Sequence, residues 1–529
     1  MTIPTKKQAM NTTNPEEGFG TISVAAILAE SARRSPDSIA LIVGADETSY
    51  GELWRSTLAY AGALRARGIG PGDAVAVLIP NVPDFARVYY AILSLGAIVV
   101  PVHALLKARE IEYVLQDSGA RMLICAAALL KEGAAGAAAT GVEVLTVMAP
   151  DDGLPRLEAE AAAAEPIRSY VPCRPSDTAT ILYTSGTTGK PKGALGTHFA
   201  LVEQTSVLLT SVMDFKQGDV LFGGLPLFHT FGQTVVLNAG LRAGATIVMM
   251  PRFSGEGALE LMTRHNVNIF VGVPTMYVAL LEAAKTGAAL PTALRYGISG
   301  GASLPLAVMD KFRDVFGIDI HEGYGLTETS PVAAFNHVGT PPRPGTIGVP
   351  IWGVDIEIAR AETVESIELL PAGELGELVI RGHLLMKGYL NRPEATAEAI
   401  VDGWFRTGDL GTKDEDGYLR IVDRKKDMII RNGYNVYPRE VEEILLTHPQ
   451  VVSAAVYGIP HDVHGQEIAA AIVLDAGSTA TEAELIEFAS AQLAAYKYPR
   501  VVRLLTELPL GPSGKILKRN LATESAGVQ

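Results

Sequence analysis

The sequence predicts an α/β protein with a large N-terminal domain of several sheets and a smaller α/β C-terminal domain. A chain of 529 residues is too long for one ordinary core, so at least two domains are expected. From residue 20 to about residue 420, short apolar strand candidates alternate with Ala- and Leu-rich helical stretches, as in parallel-sheet proteins. After about residue 427 the pattern of helices and strands becomes shorter, which indicates a second domain.

The strand candidates of the large domain are short apolar runs between turn residues. They lie at residues 74–79, 97–102, 122–126, 178–182, 269–273 and 294–298. The segment 88–106 has no Asp, Glu, Lys or Arg, but Gly96 and Pro101 interrupt it. This predicts a buried helix followed by a buried strand instead of a membrane span. The same order of helix, glycine, strand and proline recurs and ends at Pro251, so we expect two related α/β units.

In the small domain an amphipathic helix is expected to begin near Pro438. Apolar runs at 451–459 and 467–474 predict strands, and residues 481–497 predict a second helix. Before these elements, the polar and Ala-rich section 132–169 is expected to hold surface elements without a function.

Composition and charge exclude several classes of function. A net charge of -14 disfavours sequence-independent binding of nucleic acid, which depends on clustered Lys and Arg. Cys125 and Cys173 are the only cysteines, so a disulfide framework and a CxxC zinc or redox site are excluded. The first 20 residues are polar and lack the apolar core of a secretory signal. We expect a flexible leader, 1–20, on a cytoplasmic protein without a transmembrane segment.

The segment YTSGTTGKPKG, residues 183–193, has the composition of a phosphate-binding loop. Small residues let backbone N–H groups approach an anion, hydroxyl groups add donors, and lysines supply charge. The loop follows the strand candidate 178–182, so it would lie at the carboxyl end of a strand, where α/β sheets bind nucleotides. The residues expected to contact phosphate are Thr184, Ser185, Gly186, Thr187, Thr188, Gly189, Lys190 and Lys192.

Spacing excludes the two best-known nucleotide loops. Gly186 and Gly189 are separated by two residues instead of four, and Pro191 follows Lys190 where a Walker-type loop needs Ser or Thr. The GxGxxG dinucleotide fingerprint is absent from the sequence. An ordinary turn is the alternative interpretation, because Gly, Thr, Ser and Pro are common loop residues.

Four further segments follow the loop in a fixed order. They are YGLTET at 324–329, GWFRTGDL at 403–410, DRKKDMIIRNGYNVYP at 423–438 and PSGKILKR at 512–519. Together the five motifs resemble the signatures of the adenylate-forming superfamily, in particular its acyl-CoA synthetase branch. The resemblance implies an adenylation (AMP-binding) domain at 21–425 and a mobile C-terminal domain at 426–529, with a hinge at Lys426. For Lys426 alone, a solvated surface lysine in a charge run is the alternative.

The reaction that the resemblance implies has two steps. ATP and a carboxylic acid give an acyl-adenylate and pyrophosphate, and coenzyme A then forms the thioester and releases AMP. By resemblance, Lys515 contacts the acyl carboxylate and the α-phosphate in the adenylation pose only, Thr327 donates to the α-phosphate, and Glu328 binds Mg²⁺. His229 would lie between the ATP and acyl sites. Without the motif context, the alternative interpretation of Lys515 is a solvated lysine near the chain end, and that of His229 is a histidine of the core.

The remaining site residues are also implied by resemblance. Tyr324 would present a flat face to adenine, Asp409 would accept from the ribose hydroxyls, and Arg424 would lie at the same sugar. A structural ion pair is the alternative for these two charged residues. Further positions at the ligand sites are Gly301, Ala302 and Gly325, and, for the pantetheine arm of coenzyme A after domain rotation, Gly433 and Tyr434.

The acyl pocket is expected along segments 229–234, 273–277, 299–302 and 324–332, which are apolar and rich in small residues. Peptide-synthetase adenylation domains carry Asp where this chain has His229, which argues against an amino acid. A medium- or long-chain fatty acid is the first expectation and a cinnamate- or benzoate-type acid the second. A fatty acyl-AMP ligase that loads a carrier protein and a non-catalytic nucleotide-binding protein are the other hypotheses. The sequence is compatible with a homodimer.

Overall fold

The structure is a computed structural model that describes residues 20–149, 154–184, 190–511 and 514–526. Most of the predicted leader and part of the predicted phosphate loop lie outside the described residues. The loop residues concerned are Ser185, Gly186, Thr187, Thr188 and Gly189.

The first half of the large domain contains all six strands of one sheet and the first two strands of another. Its strands are β1 (Ile39–Val43), β2 (Asp46–Ser49), β3 (Ala74–Leu78), β4 (Ile98–Pro101), β5 (Met122–Ala126), β6 (Glu143–Val147), β7 (Thr178–Thr184) and β8 (Lys192–Thr197). Its helices are α1 (Ala26–Arg34), α2 (Tyr50–Ala66), α3 (Pro83–Ser94), α4 (Ala108–Ser118), α5 (Leu130–Thr140), α6 (Leu157–Ala163) and α7 (His198–Val207). The sheet order is β6-β5-β3-β4-β7-β8, and only the β7–β8 pair is antiparallel.

A nine-stranded sheet faces it. The added strands are β9 (Val220–Gly223), β10 (Thr246–Met249), β11 (Ile269–Gly272), β12 (Tyr296–Ser299), β13 (Ile320–Gly325), β14 (Val332–Phe335) and β15 (Val349–Pro350). The added helices are α8 (Ala239–Ala243), α9 (Gly255–Arg264), α10 (Pro274–Ala284) and α11 (Leu306–Phe316), with π-helical turns at Leu208–Val212 and Gly232–Asn238. The order is β15-β14-β13-β12-β11-β9-β10-β1-β2, with a parallel centre from β13 to β1.

The two larger sheets share one core, which explains the continuous apolar runs. In β3, Val75 and Val77 enter the core common to both sheets, whereas Ala76 and Leu78 pack on the other face against α4 and α5. The predicted helix, glycine and strand around Gly96 is confirmed: α3 is almost entirely buried and Gly96 has φ +68°. The second occurrence of this helix, glycine and strand pattern lies in the nine-stranded sheet. It consists of α8, Gly244 in the left-handed conformation and β10.

Some element predictions are wrong. The section 132–169 was expected to hold only surface elements, but it contains β6. This strand forms an edge of the six-stranded sheet, and its Leu145 and Val147 are completely buried. The strand expected at 294–298, by contrast, is present with slightly shifted bounds, Tyr296–Ser299.

A third sheet leads to the C-terminal part. It contains β16 (Val354–Ala359), β17 (Gly376–Gly382), β18 (Ile400–Val401), β19 (Trp404–Lys413) and β20 (Leu419–Arg424), with α12 (Pro393–Ala399). The fourth sheet contains β21 (Ile429–Arg431), β22 (Tyr434–Val436), β23 (Val451–His461), β24 (Gly465–Leu474) and β25 (Val501–Leu505). Its helices are α13 (Pro438–Leu446), α14 (Glu482–Gln492) and α15 (Lys518–Ala526).

The fourth sheet has its own core on both faces. Val456 and Ile468 pack against α13 and α14, whereas Tyr457 packs toward Leu521 of α15. The prediction of a large multi-sheet part and a smaller α/β part is therefore confirmed. The helix expected at 481–497 ends at Gln492. In the described part of the chain, no helix combines the length and hydrophobicity needed to cross a bilayer.

Candidate active site

A cavity of about 2630 Å³ lies where the large sheets meet the third sheet and the C-terminal part. It is larger than a pocket for one small ligand, which measures roughly 300–1,000 Å³. The predicted residues that line it are Thr184, Lys190, Lys192, His229, Gly301, Ala302, Tyr324, Gly325, Thr327, Glu328, Asp409, Arg424, Lys426 and Lys515. Residues from five separate motifs thus converge on one space.

Lys515 reaches this cavity on a turn near the chain end. The Gly511 N–H donates to the Lys515 carbonyl at 2.6 Å, and Gly514 has φ +77°, a conformation that favours glycine. Thr275 Oγ1 at the start of α10 donates to the Gly514 carbonyl at 3.4 Å, so the turn rests on the large domain. A Cβ at Gly514 would lie 2.9 Å from Val273 Cγ2, which shows how close this approach is.

The Lys515 ammonium is held in a partly desolvated, mainly cationic setting. Burial and then the positive charge of Arg424 lower its pKa to about 8, with Lys426 acting in the same direction and Asp409 opposing it. The side chain therefore still carries a positive charge at neutral pH. A solvated tail lysine would show none of these features.

Asp409 lies between Tyr324 and Arg424. The Tyr324 hydroxyl donates to Asp409 Oδ2 at 2.6 Å, and Arg424 Nε lies 3.5 Å from Asp409 Oδ1. Asp409 and Arg424 are direct cross-strand partners on β19 and β20. Tyr324 lies near the end of β13, and burial raises the pKa of its hydroxyl, which stays neutral as a donor. The ion pair that the sequence left open is present, and both partners still line the cavity.

Glu328 is a buried carboxylate without a cationic partner. It lies on a single 3₁₀ turn, Thr327–Thr329, and its Oε1 accepts from the Tyr389 hydroxyl at 2.8 Å. Within the described ranges, no Lys, Arg or His forms a salt bridge with it, and burial raises its pKa. The Lys192 ammonium lies over the Tyr389 ring, 5.1 Å from its centroid. An unpaired hard oxygen at the wall of a cavity suits Mg²⁺.

The flanks of the predicted phosphate loop are anchored by α4. The Tyr113 hydroxyl donates to the Pro191 carbonyl at 2.8 Å, and the Lys190 ammonium lies 5.8 Å from the centre of the Tyr113 ring. On the strand before the loop, the Tyr183 hydroxyl donates to Asp117 at 2.9 Å. The described ends of the loop are thus held at the cavity, at the carboxyl end of β7.

Comparison with known proteins agrees with this site. A model of the AMP-binding enzyme family matches residues 28–390, and a model of the AMP-binding enzyme C-terminal domain matches residues 440–515. The chain belongs to the AMP-binding enzyme family. A long-chain-fatty-acid–CoA ligase of Bacillus subtilis (strain 168) is 34% identical over 527 residues, covering 94% of each chain. A feruloyl-CoA synthase of Amycolatopsis sp. is 37% identical over 489 residues, covering 92% of this chain and 96% of the relative.

Solved structures of the family have the same fold. The crystal structure of ATP-bound MatB from Rhodopseudomonas palustris superposes with a TM-score of 0.86 at 32% identity, covering 95% of this chain and 99% of that one. The protein is thus an AMP-forming acid–thiol ligase of the acyl-CoA synthetase branch of the adenylate-forming superfamily, and it is ATP-dependent.

His229 occupies the cavity wall as a neutral ring. Burial, the charge of Lys515 and the neighbouring His103 lower its pKa to about 4. The Phe231 N–H donates to His229 Nδ1 at 3.2 Å, so the neutral ring carries its proton on Nε2. Nδ1 already accepts a hydrogen bond and Nε2 carries the proton, so the neutral ring has no free nitrogen that could accept a further proton. It therefore fits a positioning group better than a general base.

Gly433 and Tyr434 lie outside the described cavity. Tyr434 is 58% exposed and its ring centroid lies 4.9 Å from that of Tyr496. Gly433 has φ +79° and open space where a Cβ would lie. In this arrangement of the two family domains, Lys515 occupies the cavity, so the predicted pantetheine contact of Gly433 requires rotation of the C-terminal part and stays a prediction.

Glu322 and His103 are among the cavity-wall residues that sequence reasoning missed. Glu322 precedes Tyr324 by two positions on β13, so both side chains face the same side of the sheet. The Leu304 N–H donates to Glu322 Oε1 at 3.1 Å, and burial raises the pKa of this carboxyl to about 7. The sequence signal that could have identified Glu322 was a charged glutamate at the end of an otherwise buried strand. For His103 the signal was a histidine directly after a predicted strand.

Proposed function

We propose that this ligase activates a medium- or long-chain fatty acid as an acyl-adenylate and transfers the acyl group to coenzyme A. The observation that carries the adenylation step is the position of Lys515, a charged and partly desolvated ammonium in the same cavity as His229, Asp409 and the ends of the phosphate loop. Two anions must meet in this step, and a fixed positive charge between them stabilises the transition state.

The chain's own residues have distinct roles in the proposed first step. Lys190, Lys192 and Thr184 hold the β- and γ-phosphates, and Thr327 donates to the α-phosphate. Lys515 orients the acid carboxylate for attack on the α-phosphorus, whereupon the bond to pyrophosphate breaks. Because the carboxylate is already ionised at neutral pH, no general base is needed.

Adenosine is proposed to lie against Tyr324. Glu322, on the same strand face, accepts from the adenine amino group, and Asp409 accepts from the ribose hydroxyls beside Arg424. Gly301, Ala302 and Gly325 supply backbone without bulky side chains at the same wall.

Glu328 is proposed to hold Mg²⁺, because its buried carboxylate has no cationic partner among the described residues. When bound, Mg²⁺ neutralises phosphate charge. Tyr389 orients the carboxylate by donating to its other oxygen.

In the second step the C-terminal domain, 426–529, rotates about Lys426. Gly433 and Tyr434 then line the passage for pantetheine, and the thiol of coenzyme A attacks the acyl-adenylate. The bond from the acyl carbon to the AMP oxygen breaks and AMP leaves. The mixed anhydride is a strong electrophile, so no dedicated base is required.

The apolar wall near His229 supports a fatty acid. Phe231, Val273, Val278 and Val332 line the cavity there, and the relative from Bacillus subtilis is named for long-chain fatty acids. An aromatic, hydroxylated acid is the second candidate, because the buried hydroxyl of Ser299 has no hydrogen-bond partner in the described part of the chain and a feruloyl-CoA synthase is among the relatives.

The test is formation of AMP, pyrophosphate and thioester from ATP and magnesium across fatty, aromatic and dicarboxylic acids, with and without coenzyme A. Thioester from fatty acids supports the proposal, and thioester from hydroxycinnamates alone supports the second candidate. Pyrophosphate release without thioester favours loading of a carrier protein. A cytoplasmic location and a homodimer stay predictions of the sequence.

A further inference from the structure

His103 lies at the edge of the six-stranded sheet where the phosphate loop begins. It follows β4 by two residues, and β4 pairs in parallel with β7, whose last residue is Thr184. The carboxyl ends of parallel neighbours meet at one sheet edge, so His103 and the start of the phosphate loop share that edge. Sequence analysis did not single out His103.

The His103 ring also contacts the segment that carries His229. Its centroid lies 4.1 Å from that of Phe228, which directly precedes His229. Phe228 belongs to the loop after β9 of the other large sheet. His229 is close enough to both Lys515 and His103 for each to lower its pKa. His103 therefore lies between the phosphate loop on one side and the pair His229 and Lys515 on the other.

The two ring nitrogens of His103 differ in their partners. The Leu105 N–H donates to Nδ1 at 2.8 Å, so the neutral ring carries its proton on Nε2. Nε2 is buried and has no hydrogen-bond partner among the residues that the structure describes. Burial lowers the pKa of the ring to about 4, so it is neutral at physiological pH. Buried donors in proteins are normally satisfied, and an exception in the wall of a ligand cavity indicates that a ligand supplies the acceptor.

We propose that His103 Nε2–H donates a hydrogen bond to an oxygen of the pyrophosphate group of ATP, and holds that group in line for its departure during adenylation. This rests on the proposed function. The shared sheet edge with the phosphate loop favours a pyrophosphate oxygen. The acyl carboxylate is another anion of the proposed reaction, and Lys515 already orients it there.

The first measurement does not depend on the acid. Calorimetry compares binding of pyrophosphate, with AMP and magnesium present, to the wild type, His103→Ala and His103→Gln. A hydrogen bond to a charged acceptor predicts a loss of about 10- to 100-fold in pyrophosphate affinity for His103→Ala. Gln retains an N–H donor at a similar reach, so it restores much of that loss. His337→Ala is the matched control, because His337 also has a buried Nε2 without a partner but does not line the cavity.

The second measurement separates the half-reactions. In His103→Ala we expect ATP synthesis from supplied acyl-adenylate and pyrophosphate to show a raised KM for pyrophosphate, whereas thioester formation from the same acyl-adenylate stays within about twofold. Thermal unfolding of each variant confirms that it is folded.

Three results would overturn the assignment. Equal pyrophosphate affinity in the wild type and His103→Ala refutes the hydrogen bond. A raised KM for the acid alone assigns the donor to the carboxylate, and equal loss in both half-reactions indicates a structural role. If the wild type binds pyrophosphate and loses affinity in His103→Ala while activating no acid, the proposed function fails and the role of His103 stands.

Discussion

Replacing Lys515 by Ala removes a side chain that we propose the C-terminal part inserts between the two reacting anions. A unit charge about 4 Å from an anion, at an effective dielectric constant of about 20, contributes about 4 kcal/mol. Loss of a single oxyanion donor in other enzymes costs about 2.7–4 kcal/mol, or about 10²- to 10³-fold in kcat. We expect adenylation to fall by a factor in this range. Because Lys515 is partly buried, we expect its loss to slow adenylation more than the loss of a surface lysine would.

The assay separates the two steps. Pyrophosphate release under single-turnover conditions reports adenylation, and thioester formation from supplied acyl-adenylate reports the second step. Lys515→Ala should lose the first and retain the second, because we propose that the C-terminal part leaves this pose before coenzyme A reacts. Equal loss of both rates would refute the idea that Lys515 acts in one pose.

The pH dependence of the adenylation rate provides a second test of the role of Lys515. The free-enzyme pKa of Lys515 is lowered to about 8, so the charged form is lost as pH rises through 8. Adenylation at low substrate concentration should therefore decline above about pH 8. Lys515→Arg keeps its charge, because the guanidinium stays protonated, so its residual adenylation should lack this decline. A wild-type profile without any fall up to pH 9.5 would contradict the assignment.

Three further predictions follow from the site geometry. Glu328→Gln keeps the acceptor for Tyr389 but removes the charge, so adenylation should fall about 100-fold and the magnesium concentration for half-maximal rate should rise; an unchanged magnesium titration would exclude Glu328 as a ligand. Asp409→Asn should raise the KM for ATP about tenfold, with the KM for the acid unchanged, as measured in pyrophosphate-release assays. Gly433→Leu should slow thioester formation and leave adenylation intact, because Gly433 lies outside the cavity here; normal thioester rates would remove it from the coenzyme A passage.

Much of the site could be predicted from the sequence because its signals are local. The glycine, hydroxyl and lysine content of residues 183–193 predicts a phosphate loop without any knowledge of the fold. The apolar runs of β3, β5 and β7 report burial on both faces of a parallel sheet. Helix ends are similarly local, as Gly96 shows. The edge strand β6 was missed because it lies within a polar and Ala-rich section of the sequence, and its burial depends on α6 and the sheet beside it.

Tertiary structure alone decided which of these residues meet. Lys515 and His229 are separated by 286 positions in the chain, and they meet in one cavity because Gly514 packs against Thr275 of the large domain. Burial depends on such long-range contacts, so the neutral state of His229 and the unpaired donor of His103 could not be inferred from their neighbours in sequence. The sequence by itself determined the chemistry of each motif, because composition and spacing set local donors and charge. The structure decided their common site, because distance and desolvation arise only when separate elements pack.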